Sequence, residues 1–259
     1  MVNYILNFIV VTSGIVLFTF NSNFITDSVK TKNPERIETF TFSSNGESIN
    51  GKIYLPSSFE TNNNLPAIYL IDFHEQHFAV ATDEFEKTIQ AVRQINGSAL
   101  VVTLEEHLDV SIGPGSFQEY YTIFKDLTIH VDSKYTNNTS RTFIGKGSEG
   151  GLVLMTLFNE NPEFSVFDNY IATDADEAFN RAVTNMIGND DFPKNKQNKK
   201  LHYSFSTSND HDLSTNLIEA ISEAQYPWLQ FETKEYTNSN YENTYPAAFT
   251  AGIRYIFDD

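Results

Sequence analysis

The chain has 259 residues, of which 40% are hydrophobic, 14% aromatic and 20% charged, enough for one large α/β domain with a sizeable core. Its 17 Lys and Arg stand against 34 Asp and Glu, and the formal net charge of −17 argues against nucleic acid or an anionic lipid surface as a partner. No cysteine is present, which excludes disulfides, thiolate metal sites and cysteine nucleophiles, while 22 Phe and 13 Tyr exclude a solvated coil.

Tyr4 to Phe20 (YILNFIVVTSGIVLFTF) runs for 17 residues without a charge, and a charged region begins at Asp27. That length lies between a signal-peptide core and a short membrane span. Residues 1–26 therefore read as an export signal or an N-terminal anchor, and residues 27–259 as a single domain that is periplasmic, extracellular or anchored.

From Arg36 the hydrophobic period alternates between two and 3.6. The pattern predicts strands over Arg36–Ser43, Asn50–Leu55, Ala67–Phe73, Ala99–Leu104, Arg141–Gly145, Asp168–Thr173, Leu201–Thr207 and Leu229–Tyr236. Helical patterns fall at Asp83–Ile95, Phe117–Val131, Gly151–Asn159, Glu177–Met186, Leu213–Ala224 and Tyr245–Phe257. The first two strands meet at Asn45-Gly46, which predicts an antiparallel hairpin. The later strands are apolar runs separated by helices, which predicts a mostly parallel central sheet with helices on both faces. Thr61–Asn64, Asn137–Ser140 and Asn189–Lys200 read as surface loops, and the lone Trp228 as a core residue.

The turn Gly145-Lys146-Gly147-Ser148-Glu149-Gly150-Gly151 follows a strand and opens a helix. Gly145, Gly147 and Gly150 fit the G-x-G-x-x-G of a dinucleotide turn, with an acid at Asp174 or Asp176 downstream. The same turn fits a nucleophile elbow carrying Ser148. Chain order favours the elbow, because a dinucleotide turn ordinarily follows the first strand of its unit and here about four strands precede it. The elbow departs from its pattern at Lys146, where a small residue is wanted two positions before Ser148.

Several segments in order resemble the siderophore-esterase-like serine hydrolases of the α/β-hydrolase superfamily. They are Ile53-Tyr54-Leu55-Pro56, Leu65-Pro66-Ala67-Ile68-Tyr69-Leu70-Ile71-Asp72, His77-Phe78, Gly113-Pro114-Gly115, Asp132-Ser133-Lys134-Tyr135 with Arg141, Asn161-Pro162-Glu163-Phe164, and Tyr245-Pro246 with Gly252-Ile253-Arg254-Tyr255-Ile256-Phe257. The resemblance runs from about Arg36 to the C-terminus and implies the α/β-hydrolase fold. It also implies a Ser-His-acid triad acting on a carboxylic ester or thioester, with no cofactor and no metal.

The resemblance places Ser148 as nucleophile and Asp210 as the acid, with Asp212 second. The backbone N–H of Glu149 and of the Phe73–His74 loop would form the oxyanion hole. At the histidine position the chain has Tyr241, and no histidine follows His211. A phenol of reference pKa about 10 does not replace an imidazole of about 6.5 as a base. The resemblance therefore implies an ester hydrolase whose activity is weak or lost, or an inert relative that binds a ligand or a protein. His211, between Asp210 and Asp212, is the candidate for a migrated base. His74 and His77 with Asp72 could ligate a metal, but ordinary loop residues are the commoner reading. Asp174-Ala175-Asp176-Glu177 reads as a helix N-cap with acids at the positive end of the dipole.

Overall fold

A computed structural model describes residues 34–70, 84–95, 98–105, 113–190 and 197–258. The strands are β1 (Arg36–Ser44), β2 (Glu47–Leu55), β3 (Ala67–Leu70), β4 (Leu100–Leu104), β5 (Arg141–Lys146), β6 (Asn169–Thr173), β7 (Lys199–Ser206) and β8 (Leu229–Tyr236). Between and after them lie α1 (Glu84–Gln94), α2 (Phe117–Lys134), α3 (Ser148–Asn159), α4 (Glu177–Gly188), α5 (His211–Ala224) and α6 (Tyr241–Phe257). All eight strands join one sheet in the order β1-β2-β4-β3-β5-β6-β7-β8. β1 and β2 form the antiparallel hairpin, in register from Arg36 opposite Leu55 to Ser44 opposite Glu47. β2 pairs antiparallel with β4, and every later pairing is parallel.

Period two in the strands divides their apolar residues between two cores. On β3, Tyr69 belongs to one face, and Ile68 and Leu70 to the other. The Tyr69 face packs α2, α3, α4 and α5 through residues such as Phe124, Leu154, Phe179 and Leu217. The opposite face is covered by α1 and α6 through Phe85, Ile89, Phe249 and Ile253. Trp228 lies in the first core with 7% of its surface exposed.

The chain leaves β3 for β4 on one side and returns to β5 on the other, so strand order reverses at β3. Sheets of this kind place their ligand crevice at the carboxyl ends of the strands near such a reversal. The turn at Gly145–Gly151 and the loops after β6, β7 and β8 open onto that edge.

Two of the helix starts that differ from the sequence expectation bear on the site. Pro246 suggests a helix beginning at Tyr245, yet α6 begins at Tyr241, because the Asn240 side chain accepts the Asn243 N–H at 3.1 Å and Pro246 is accommodated inside the helix. α3 begins at Ser148, three residues before the predicted start, with Gly147 as its N-cap residue. Both shifts bring site residues into the first turn of a helix.

Candidate active site

β5 enters the turn through Gly145 and Lys146, and the chain reverses at Gly147 with φ 63° and ψ −128°. That backbone region is reserved almost wholly for glycine. A Cβ on Gly145 would lie 2.7 Å from the Glu149 carbonyl carbon, so the helix can approach the strand only because this residue has no side chain. The strained apex and the small residue two positions before it are therefore Gly147 and Gly145. Ser148 lies one residue past the apex, and Lys146 between the two glycines is no longer a misfit.

A Cβ built on Gly147 would overlap the hydroxyl of Tyr241 and lie 3.1 Å from its Cζ. The phenol thus occupies the space that a side chain at the apex would take. Its ring is held from the other direction by Lys146, whose ammonium lies 4.1 Å from the Tyr241 centroid and 4.6 Å from that of Tyr245. The Lys146 side chain is 3% exposed and pairs with the buried Glu84 at 3.3 Å. A buried ammonium is tolerable only with such partners. Lys146 and Tyr241, two separate departures in the sequence, are one packed cluster.

Burial pushes the Tyr241 phenol well above its ordinary pKa, and the carboxylates of Glu149, Glu84, Asp176 and Asp174 push it further. Desolvation likewise raises the Glu149 carboxyl well above the usual range, assisted by Glu84, while its own backbone N–H pulls the other way.

Ser148 donates its hydroxyl to Asp176. Asp176 holds the N-cap position of α4 but makes no side-chain cap bond there, since its carboxylate is turned toward Ser148. Asp174, just after β6, has φ 47° and takes the Ser206 N–H on Oδ1 at 2.6 Å. Asp210 caps α5 by accepting the Leu213 N–H at 3.0 Å. A cavity of about 170 Å³ lies among Asp174, Asp176, Glu177, the Ser208–Asp210 loop and Tyr241. It joins two sequence candidates, Asp210 and Tyr241, to Asp174 and Asp176 after β6, which the sequence suggested as helix-cap residues or as the acid of a dinucleotide turn.

The other candidates sit apart. The His211 side chain is 64% exposed, and its neighbours are Asp212, Glu235, Thr215 and Phe205, none of them the elbow. The Asp212 side chain is 97% exposed. Phe73 and His74, with Asp72 and His77, lie outside the described residues.

The strand order, the hairpin at its start, and a glycine-apexed strand-to-helix turn at the carboxyl edge of the sheet define the α/β-hydrolase fold. Similar solved structures carry the same architecture. An IroE-like serine hydrolase from Shewanella oneidensis superposes with a TM-score of 0.69 at 15% identity, covering 86% of this chain and 80% of that one. The siderophore hydrolases EstB and EstA from Aspergillus nidulans give TM-scores of 0.65 and 0.63 at 16% and 14% identity. They cover 84% and 85% of this chain, and 92% and 93% of their own. No family model and no curated protein matches the sequence. The likeness read in the sequence to siderophore-esterase-like α/β-hydrolases thus holds in the fold.

Proposed function

We propose that this chain is a protein of the serine ester hydrolase type, with a cleft for a carboxylic ester or thioester and a turnover that is weak or lost. The observation that carries the reading is the Tyr241 hydroxyl seated where a side chain on Gly147 would stand. An elbow presents its nucleophile from the strained apex, and here the apex residue is a glycine.

Ser148 follows the apex, and its hydrogen-bond acceptor is the carboxylate of Asp176. A carboxylate is a far weaker general base than the imidazole a serine triad uses. The phenol of Tyr241, raised further by burial and by the acids around it, stays protonated at neutral pH and is no base either. Asp210 is committed to the N-terminus of α5. Loss of the base in a serine triad removes most of the acceleration, leaving roughly 10³–10⁴ over water where oxyanion donors survive. Export or anchoring through residues 1–26, with residues 27–259 as one domain, belongs to the same proposal. Among the described residues no helix is long and apolar enough to cross a membrane.

The test is hydrolysis of p-nitrophenyl acetate by the purified chain beside Ser148→Ala. The proposal expects wild-type rates within about tenfold of that variant, because uncatalysed nucleophilic background is all that the missing base leaves. A rate at least a thousandfold above Ser148→Ala would identify a working serine and overturn the weak-or-lost reading.

A further inference from the structure

The strand order ends at β8, and among the described residues no strand pairs with its outer edge. The helices leave it bare as well, since α6 packs over β6 and β7 and α5 packs against α4. Gln230 and the run Glu232 to Glu235 are accordingly exposed. β8 has eight residues and no proline, and a long open edge of this kind is a template for another strand unless something guards it.

Trp228 gives its carbonyl to the Lys199 N–H of β7, and the register runs without a break to Tyr236. By alternation Gln230, Glu232 and Lys234 turn their backbone groups toward β7, while Phe231, Thr233 and Glu235 turn theirs outward. Charged side chains are the usual guard of such an edge. Here their order is self-complementary. Glu232 and Lys234 lie two residues apart on one face of the sheet, Glu232 beside the His202 imidazole at 3.5 Å and Lys234 over the Tyr236 ring at 4.8 Å.

Two copies paired antiparallel about Thr233 set Glu232 of each opposite Lys234 of the other. Thr233 meets Thr233 and Phe231 meets Glu235 at the hydrogen-bonded positions, so the outward N–H and C=O groups are used. The charged pair falls at the positions between them, where side chains approach most closely and opposite charges stabilise while like charges destabilise. Moving the centre to Glu232 or to Lys234 would set that residue against its own twin.

We propose that β8 is a self-association surface through which two copies of this chain pair antiparallel about Thr233 and join their sheets into one. The proposal uses nothing of the hydrolase reading, so either can fail without the other.

The test is sedimentation velocity of the full chain in about 0.15 M NaCl, with a nonionic detergent to cover the apolar segment Tyr4–Phe20. About 100 µM chain suffices, since a dimer with Kd about 10 µM is then largely formed. The expected result is a reversible dimer. Glu232→Lys and Lys234→Glu are each expected to raise Kd at least about tenfold, and the two changes combined in one chain to return it to within about threefold of wild type. An equimolar mixture of the two single variants is expected to form the mixed dimer, in which both pairs are again attractive. Thr233→Pro removes an outward N–H and leaves the bonds to β7 in place, so it is expected to be monomeric. The charge exchanges keep the test open if that variant does not fold. A monomeric wild type would overturn the proposal. So would a dimer of equal Kd in every variant, which would form through another part of the chain, such as residues 1–26. Single exchanges no weaker than the combined one would overturn it too, because the pairing would not be centred on Thr233.

Discussion

Gly147 and Tyr241 are coupled through a volume that only one of them can fill. A non-glycine residue in the backbone region of Gly147 costs about 1–3 kcal/mol, and overlap with the phenol adds to it. Gly147→Ala is therefore expected to lower stability by at least about 2 kcal/mol in urea unfolding. In a Tyr241→Phe background the cost is expected to fall, because the hydroxyl makes the closest contact. Equal costs in the two backgrounds would show that the phenol does not fill the apex. The sequence displayed both departures, Lys146 and Tyr241, but they are 95 positions apart and nothing in the pattern shows that they touch. The sequence reading put Ser148 at the apex, because serine fitted the motif. The backbone selects the residue without a Cβ.

His202 makes a second residue-scale prediction. It is fully buried on β7 with neither ring nitrogen hydrogen-bonded, and burial lowers its pKa to about 4. The neighbouring Lys234 contributes to that lowering. As pH falls, the unfolded chain takes up this proton near pH 6.5, well before the folded chain does. The stabilisation is complete above about pH 6.5 and is lost progressively between about 6.5 and 4. Between pH 7 and pH 5 the wild type is expected to lose roughly 2 kcal/mol more than His202→Leu. Parallel pH profiles for the two proteins would contradict a neutral buried imidazole.

At the scale of elements, the alternation of periods reveals which segments are strands and helices, and the glycine-rich turn marks the edge of the sheet where the cavity lies. Helix ends were less legible, because a cap is a side-chain bond that competes with other uses of the same residue. Asn240 caps α6, and so places Tyr241 in its first turn, where the chain pattern alone suggested a loop before Pro246. Asp176 occupies a cap position yet gives its carboxylate to Ser148. Asn240→Ala is expected to cost about 1 kcal/mol, and Asn240→Asp much less. Loss of stability to the same extent in both variants would mean that the side chain does not act as a cap.

For the whole molecule, eight strands carry two helical layers, and the cleft is assembled from loops after β6, β7 and β8. That architecture followed from the spacing of apolar runs and the order of weak motifs, each too short to decide alone. The chemistry of the edge did not follow as directly, since it depends on contacts between residues far apart in sequence. An α/β-hydrolase-type sheet thus carries a cleft at its edge, and a phenol fills the space that a side chain on Gly147 would take. The most direct test is fluorophosphonate labelling, with the modified residue located by mass spectrometry, on the wild type and on Gly147→Ser combined with Tyr241→His. The account predicts no label on the wild type and a label on residue 147 of the double variant. Stoichiometric labelling of wild-type Ser148 would contradict it.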